Sequence, residues 1–246
     1  MPKCKIGDRV YVPSSLLPGG DRDIFAMRRC DVVAANNNRS IQIRLPDNSN
    51  SQWFGSSKAH KNLGIALISI GDFDSEEGLI NPLGKSILQF CRLLLPDDHI
   101  AAIKIRAIGE FGEWWGKNND AYTHIILVGH GDREAIYFGV GGARKPISFK
   151  RRLGNDNSAP KIFISLCCET GKPPFAQEFS QLPFCKVLIA PEHSIHGAVG
   201  SQFLQTFLSL HLLQGKSPKV AFNNANTLMP GSDSFAIWTG GVNRTS

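Results

Sequence analysis

A chain of 246 residues with 42% hydrophobic and 20% charged side chains can bury a full core, as one large or two modest domains. Its net charge of +6 comes without a long Lys/Arg run, which makes nucleic acid an unlikely partner, and no apolar run approaches the roughly 20 residues of a membrane span. Residues 1–20 lack the pattern of a secretion signal and the six cysteines form no CxxC pair, so the expectation is a cytoplasmic protein with no disulfide framework, no metal and no cofactor.

Residues 1–62 read as a small all-β unit. KIGDRVYVP (5–13), RRCDVVAA (28–35) and RSIQIRLPD (39–47) alternate apolar and polar residues and are separated by Gly, Asn and Pro turns. The GDRVYV opening and the LPDN turn followed by QWFG resemble Src-homology-3-like and Tudor-like barrels. That resemblance implies a peptide-binding surface on which Tyr11, Trp53 and Phe54 would be exposed, and a regulatory protein would be the partner; the competing expectation places these aromatics in the barrel's own core. A nucleic-acid surface would instead need Lys3, Lys5, Arg28, Arg29, Lys58 and Lys61 on one face.

From residue 63 to 246 strands alternate with helical patterns, which predicts an α/β unit with a mostly parallel sheet flanked by helices. The first strand is GIALISIGDF (64–73). A helix follows with Asn81 as its N-cap and Pro82 at its first position, carrying Leu83, Ile87, Cys91 and Leu94 on one stripe before Pro96. Further strands are expected at 102–108 and over HIILVGHG (124–131). Residues 135–149 read as an inserted hairpin and 150–159 as a polar loop. The strand PKIFISL (160–166), a short helix near 175–182, the strand KVLIAP (186–191), helices over 195–213 and 217–228, and a last strand FAIWTG (235–240) complete the chain.

Two of these strands end in chemistry. HIILVGHG stops at His130 between two glycines, and PKIFISLCCETG stops at two adjacent cysteines, an acid, a hydroxyl and a glycine. Side chains at the carboxyl ends of parallel strands line the crevice of open α/β folds, and there a thiol beside an imidazole would be a nucleophile with its base. Adjacent strand residues point to opposite faces, so only one cysteine can face the crevice, and Cys168 is the one further out. Gly131 leaves a backbone N–H for an oxyanion.

ISLCCETG is similar to the SACETG motif of CHAT domains, and VGHGD resembles the strand-terminal His-Gly of that family, which belongs with caspases, separases, gingipains and clostripain. The similarity runs over roughly residues 64–240. It implies a caspase-like fold and cysteine endopeptidase activity, with His130 as general base, Cys168 as nucleophile and the backbone N–H groups of Gly131 and Cys168 as oxyanion donors. It also implies a protein substrate in a prokaryotic defence or cell-death setting, for instance a gasdermin-like or other effector. The chain departs from the family in having Cys167 before the nucleophile and Pro191-Glu192-His193 where a Trp is usual. In related folds the loop after the first strand shapes the substrate pocket, and here it carries Asp72, Asp74, Glu76 and Glu77. With Glu169, the carboxylates of Asp72 and Asp74 would select Arg or Lys before the scissile bond. The competing expectation is a catalytically silent scaffold or protein-binding module. His193 and His196 are expected to be polar groups at a helix start, and Cys185 to be inert.

Overall fold

The computed structural model describes residues 4–36, 39–72, 74, 76–154, 159–228 and 234–245. The N-terminal part forms β1 (Arg9–Pro13), β2 (Met27–Asn36), β3 (Ser40–Ile43) and β4 (Phe54–Gly55), an antiparallel sheet in that order. Its alternation buries Val10, Val12, Val32, Ile41 and Ile43 on one face. After β4 the chain returns to β1, where Tyr11 and His60 exchange both backbone hydrogen bonds at 2.8 and 2.9 Å and curl the sheet upon itself.

The three aromatics expected to act together are separated. Trp53 is half exposed, Phe54 leans on the small core, and Tyr11 is buried on the opposite face, where it joins Met27 in the core of the larger unit. Arg28 is ion-paired with Asp23, and Lys61 with Asp8, so two of the six cations needed for one basic face are engaged locally. Lys3 lies outside the described residues.

The larger unit is built on five parallel strands: β5 (Ile65–Ile70), β6 (Ile100–Ile105), β7 (His124–Gly131), β10 (Lys161–Ser165) and β11 (Cys185–Pro191). β12 (Phe235–Thr239) and β13 (Val242–Asn243) add antiparallel strands at one edge, giving the order β13-β12-β11-β10-β7-β5-β6. The strands read as continuous apolar runs because both faces are covered. Helices α1 (Asn81–Leu94), α5 (Gly197–Leu208) and α6 (Pro218–Leu228) pack on the face carrying Ile126, Val128, Ile164 and Leu166. Helices α2 (Ile108–Asn118), α3 (Pro146–Leu153) and α4 (Phe175–Phe179) cover the other, around Ile125, Leu127, Phe163 and Cys167.

Several local expectations are corrected. A π-helical turn over Glu76–Ile80 runs straight into α1, so Ile80 and not Asn81 is the N-cap. The strand expected at 102–108 runs instead over Ile100–Ile105, and α2, not expected from the sequence, follows it; Ile108, Phe111 and Trp115 form its buried face despite three glycines. The inserted hairpin is shorter than expected, β8 (Ile136–Phe138) and β9 (Gly142–Arg144), because Pro146 opens α3 and buries Phe149 and Leu153 one turn apart. Residues 155–158 of the expected polar loop and Phe73, expected to end the first strand, lie outside the described residues.

The N-terminal sheet docks at the amino ends of the parallel strands. Ala26 N–H donates to the Leu93 carbonyl at 2.8 Å, and the Tyr11 hydroxyl meets the His99 ring. Nε2 of His60 is 3.2 Å from the Leu212 carbonyl, and the His60 ring meets His211 at 5.5 Å between centroids. His211 in turn meets His124, at the foot of β7, at 5.4 Å. Nδ1 of His124 is bonded to the Thr123 hydroxyl, whereas its Nε2 is buried with no hydrogen-bond partner. Burial holds all three imidazoles below the ordinary histidine range, His60 at about 4.

Candidate active site

His130 and Cys168 lie at the carboxyl ends of β7 and β10. The two strands pair in parallel from Ile162 opposite His124 to Ser165 opposite Leu127, and the Leu166 N–H still donates to the Leu127 carbonyl at 2.8 Å. β10 ends at Ser165 and Cys168 lies in the turn that follows, while His130 lies at the end of the neighbouring β7. The strand residues that precede them with the same parity, Ile126 and Val128 on β7 and Ile164 and Leu166 on and just after β10, face the core on the α1/α5 side.

The two cysteines differ as their parity requires. Cys167 is fully buried in the core under α3 and α4, and burial pushes its thiol up to about 12. Cys168 is half-buried, and His130 is exposed. A thiol with so raised a pKa is a poor source of thiolate, which leaves Cys168 as the reactive candidate. Cys185 is also buried, its thiol raised by desolvation.

The turn that presents Cys168 is stitched on every side. The Thr170 hydroxyl donates to the Cys167 carbonyl at 2.7 Å and lies 2.8 Å from Ser165 Oγ, which accepts from the Cys167 N–H at 3.2 Å. Gly171 donates to the Pro191 carbonyl at 2.7 Å, and its own carbonyl accepts from Trp238 Nε1 at 2.8 Å. Glu169, immediately after Cys168, is held at φ +57°, a left-handed conformation that costs a non-glycine residue about 1 kcal/mol or more. Its carboxylate lies 3.5 Å from the Lys172 ammonium. Sequence reasoning missed Ser165, Thr170 and Trp238; the Thr-Gly pair was visible beside the cysteines, but nothing in FAIWTG marks Trp238 as an anchor for this turn.

Gly131, the residue after His130, ends β7. Beyond the end of β5, β7 continues against β8 with His130 opposite Tyr137 and Gly131 opposite Ile136, and Asp132 N–H donates to the Ala135 carbonyl at 2.9 Å. Bonded and non-bonded pairs alternate in an antiparallel ladder, so the Gly131 N–H points away from β8, toward the β10 side. β5 pairs with β7 up to Ile70 opposite Gly129, so the loop after β5 lies at the same end of the sheet. Gly139 at the hairpin tip packs on it so closely that a Cβ there would stand 3.0 Å from the Asp72 Cα. Asp72, Asp74 and Glu77 are exposed; the Glu76 side chain lies outside the described residues. His196 caps α5 by accepting from the Ala198 N–H at 3.2 Å, the structural role expected of it, and the exposed His193 lends its carbonyl to the Glu169 N–H at 3.5 Å. Among the described residues no group of His, Cys, Asp and Glu side chains is arranged to hold a metal ion, and no helix is long and apolar enough to cross a membrane.

No protein-family model matches the chain, and no curated protein does. Solved structures do. One is a secreted C11 cysteine protease from Bacteroides thetaiotaomicron in complex with an irreversible peptide inhibitor, 9% identical, with a TM-score of 0.50 over 72% of this chain and 66% of that one. The chain thus matches just under two thirds of that protease's length. At this identity the likeness shows the fold, and the fold is caspase-like: a mostly parallel sheet between two helical layers, joined here to a small curled antiparallel sheet.

Proposed function

We propose that the protein is a cysteine endopeptidase with His130 as general base and Cys168 as nucleophile. The observation that supports this reading is the parallel pairing of β7 with β10, whose carboxyl ends lead into His130 and Cys168. In this reading Cys168 gives its proton to His130, and the thiolate attacks the scissile carbonyl. The backbone N–H groups of Gly131 and Cys168 receive the oxyanion. The imidazolium then protonates the leaving amine as the C–N bond breaks, and water attacks the thioester with His130 again as base.

The substrate is a protein segment with Arg or Lys before the scissile bond, drawn by Asp72 and Asp74, with Glu169 at the rim. The motifs ISLCCETG and VGHGD favour a relationship to CHAT domains and hence a prokaryotic defence or cell-death role, with a gasdermin-like or other effector as substrate. Residues 1–62 would form a Src-homology-3-like domain that docks a regulatory protein, with the half-exposed Trp53 at its surface, and 63–246 the peptidase.

A peptidyl chloromethyl ketone carrying Arg tests the dyad. Mass spectrometry is expected to find one adduct, on Cys168, that is lost in His130→Ala. No adduct, or one on another cysteine, would rule the reading out.

A further inference from the structure

Two buried hydroxyls, Ser165 at the end of β10 and Thr170 in the turn beyond it, enclose the backbone of Cys167. Both side chains are fully buried, where a hydroxyl without a partner is costly. The Cys167 N–H donates to Ser165 Oγ at 3.2 Å, and the Thr170 hydroxyl donates to the Cys167 carbonyl at 2.7 Å. The two hydroxyl oxygens are 2.8 Å apart, and since the Thr170 proton is committed to the carbonyl, Ser165 supplies the proton between them. The three bonds close a ring. The Thr170 N–H also points at the Cys167 carbonyl, but at 3.5 Å that bond is long, so the hydroxyl is the principal donor there.

The ring turns the chain out of the sheet. The Leu166 N–H still reaches across to the Leu127 carbonyl, but the N–H and carbonyl of the next residue are both taken by its own turn. A serine hydroxyl that binds the N–H two residues on competes with the sheet ladder in this way. With its backbone so held, Cys167 keeps its side chain in the core under α3 and α4, and the following residue, Cys168, emerges half-buried. Cys167 Cβ and Thr170 Cγ2 also rest against Gly131, the residue after His130, each 3.0 Å from where a Cβ on that glycine would stand. The ring is thereby pressed against the end of β7.

We propose that Ser165 and Thr170 are positioning residues, whose hydroxyl pair decides which of the two adjacent cysteines is presented by holding Cys167 in and Cys168 out. Both act through the backbone of Cys167 and neither touches a substrate. Their part in catalysis rests on the dyad assigned above; their hold on the turn does not.

The test is labelling of the folded full chain with iodoacetamide at one fixed, mildly alkaline pH, with tandem mass spectrometry to resolve the adjacent cysteines. In wild type Cys168 should be labelled first, with Cys167 as protected as the buried Cys91 and Cys185. Thr170→Val keeps the shape of the side chain and removes the hydroxyl; Ser165→Ala opens the ring at its other corner. Each should raise the labelling rate of Cys167 by about 10-fold or more, because leaving a buried carbonyl or N–H unpaired favours the open turn. Cys91 and Cys185 should stay protected. The double variant should be little worse than either single one, since one cut opens the ring. Thr170→Ser, which retains the hydroxyl, should label as wild type. With basic peptides Thr170→Val should lower kcat by about 10-fold or more and leave KM within about 3-fold, since a displaced thiol affects the chemical step.

Cys167 labelled in Thr170→Val as slowly as in wild type would overturn the proposal. So would exposure of Cys91 and Cys185 along with it, which would mark a general loss of stability. Ser165→Ala decides the matter by the same readout if Thr170→Val fails to fold. Wild type that labels as expected but cleaves no peptide would overturn the dyad alone, a distinct result.

Discussion

The backbone of Gly131 passes so close to Cys167 that a methyl group built on the glycine would stand 3.0 Å from the cysteine Cβ. The same methyl would stand 3.0 Å from Thr170 Cγ2, within the turn that presents Cys168. The glycine is therefore needed for close approach of two strand ends rather than for an unusual backbone angle.

Gly131→Ala should push the turn outward. The expected cost is about 1–3 kcal/mol of stability from overpacking, together with a loss of kcat larger than 10-fold, because the displaced N–H and thiol no longer share one point. Urea denaturation beside peptide cleavage measures both; an unchanged kcat would argue against the tight strand-end geometry.

Acid should loosen the junction between the two sheets. His124 and His211 are buried and His60 partly buried, neutral against one another, and desolvation holds His60 at about 4. A histidine whose pKa is depressed on folding adds stability that is complete above its unfolded pKa and is lost as pH falls toward the folded one. Stability should therefore decline between about pH 6.5 and 4, by about 2 kcal/mol for His60 after discounting its partial exposure. In His60→Gln the slope of stability against pH should flatten over that window; an unaltered slope would remove the histidine junction as its source.

Asp72 is held against the hairpin by the close approach of Gly139. If its carboxylate selects the residue before the scissile bond, Asp72→Asn should lower kcat/KM for Arg and Lys peptides by about 10- to 100-fold while leaving kcat/KM for apolar peptides unchanged. Peptide series differing at that one residue would show it, and a wild-type preference for Asp or apolar residues there would exclude the assignment.

The parallel sheet was legible from local pattern. HIILVGHG and KIFISLCC are apolar runs short enough to be buried strands, and each stops where a reactive side chain begins, which together with the motif resemblance makes His130 and Cys168 the candidate pair. What was missed depends on partners distant in the chain. α2 hides behind Gly109, Gly112 and Gly116, and only the spacing of Ile108, Phe111 and Trp115 betrays it. His60 and His211 meet only once the small sheet docks, and Tyr11 pairs with a core outside its own sheet. The Asx turn at Asp132 and the bond from Trp238 to Gly171 likewise follow from tertiary placement and not from pattern.

Cleavage of basic peptides by Cys168→Ala and Cys167→Ala, beside wild type and with mass spectrometry of the protein's own chain, tests the central claim most directly. The buried thiol of Cys167 and the half-buried thiol of Cys168 predict complete loss of peptide cleavage, and of any self-cleavage, in Cys168→Ala, with activity within a few-fold of wild type in Cys167→Ala. Equal loss in both variants, or none in either, would contradict it.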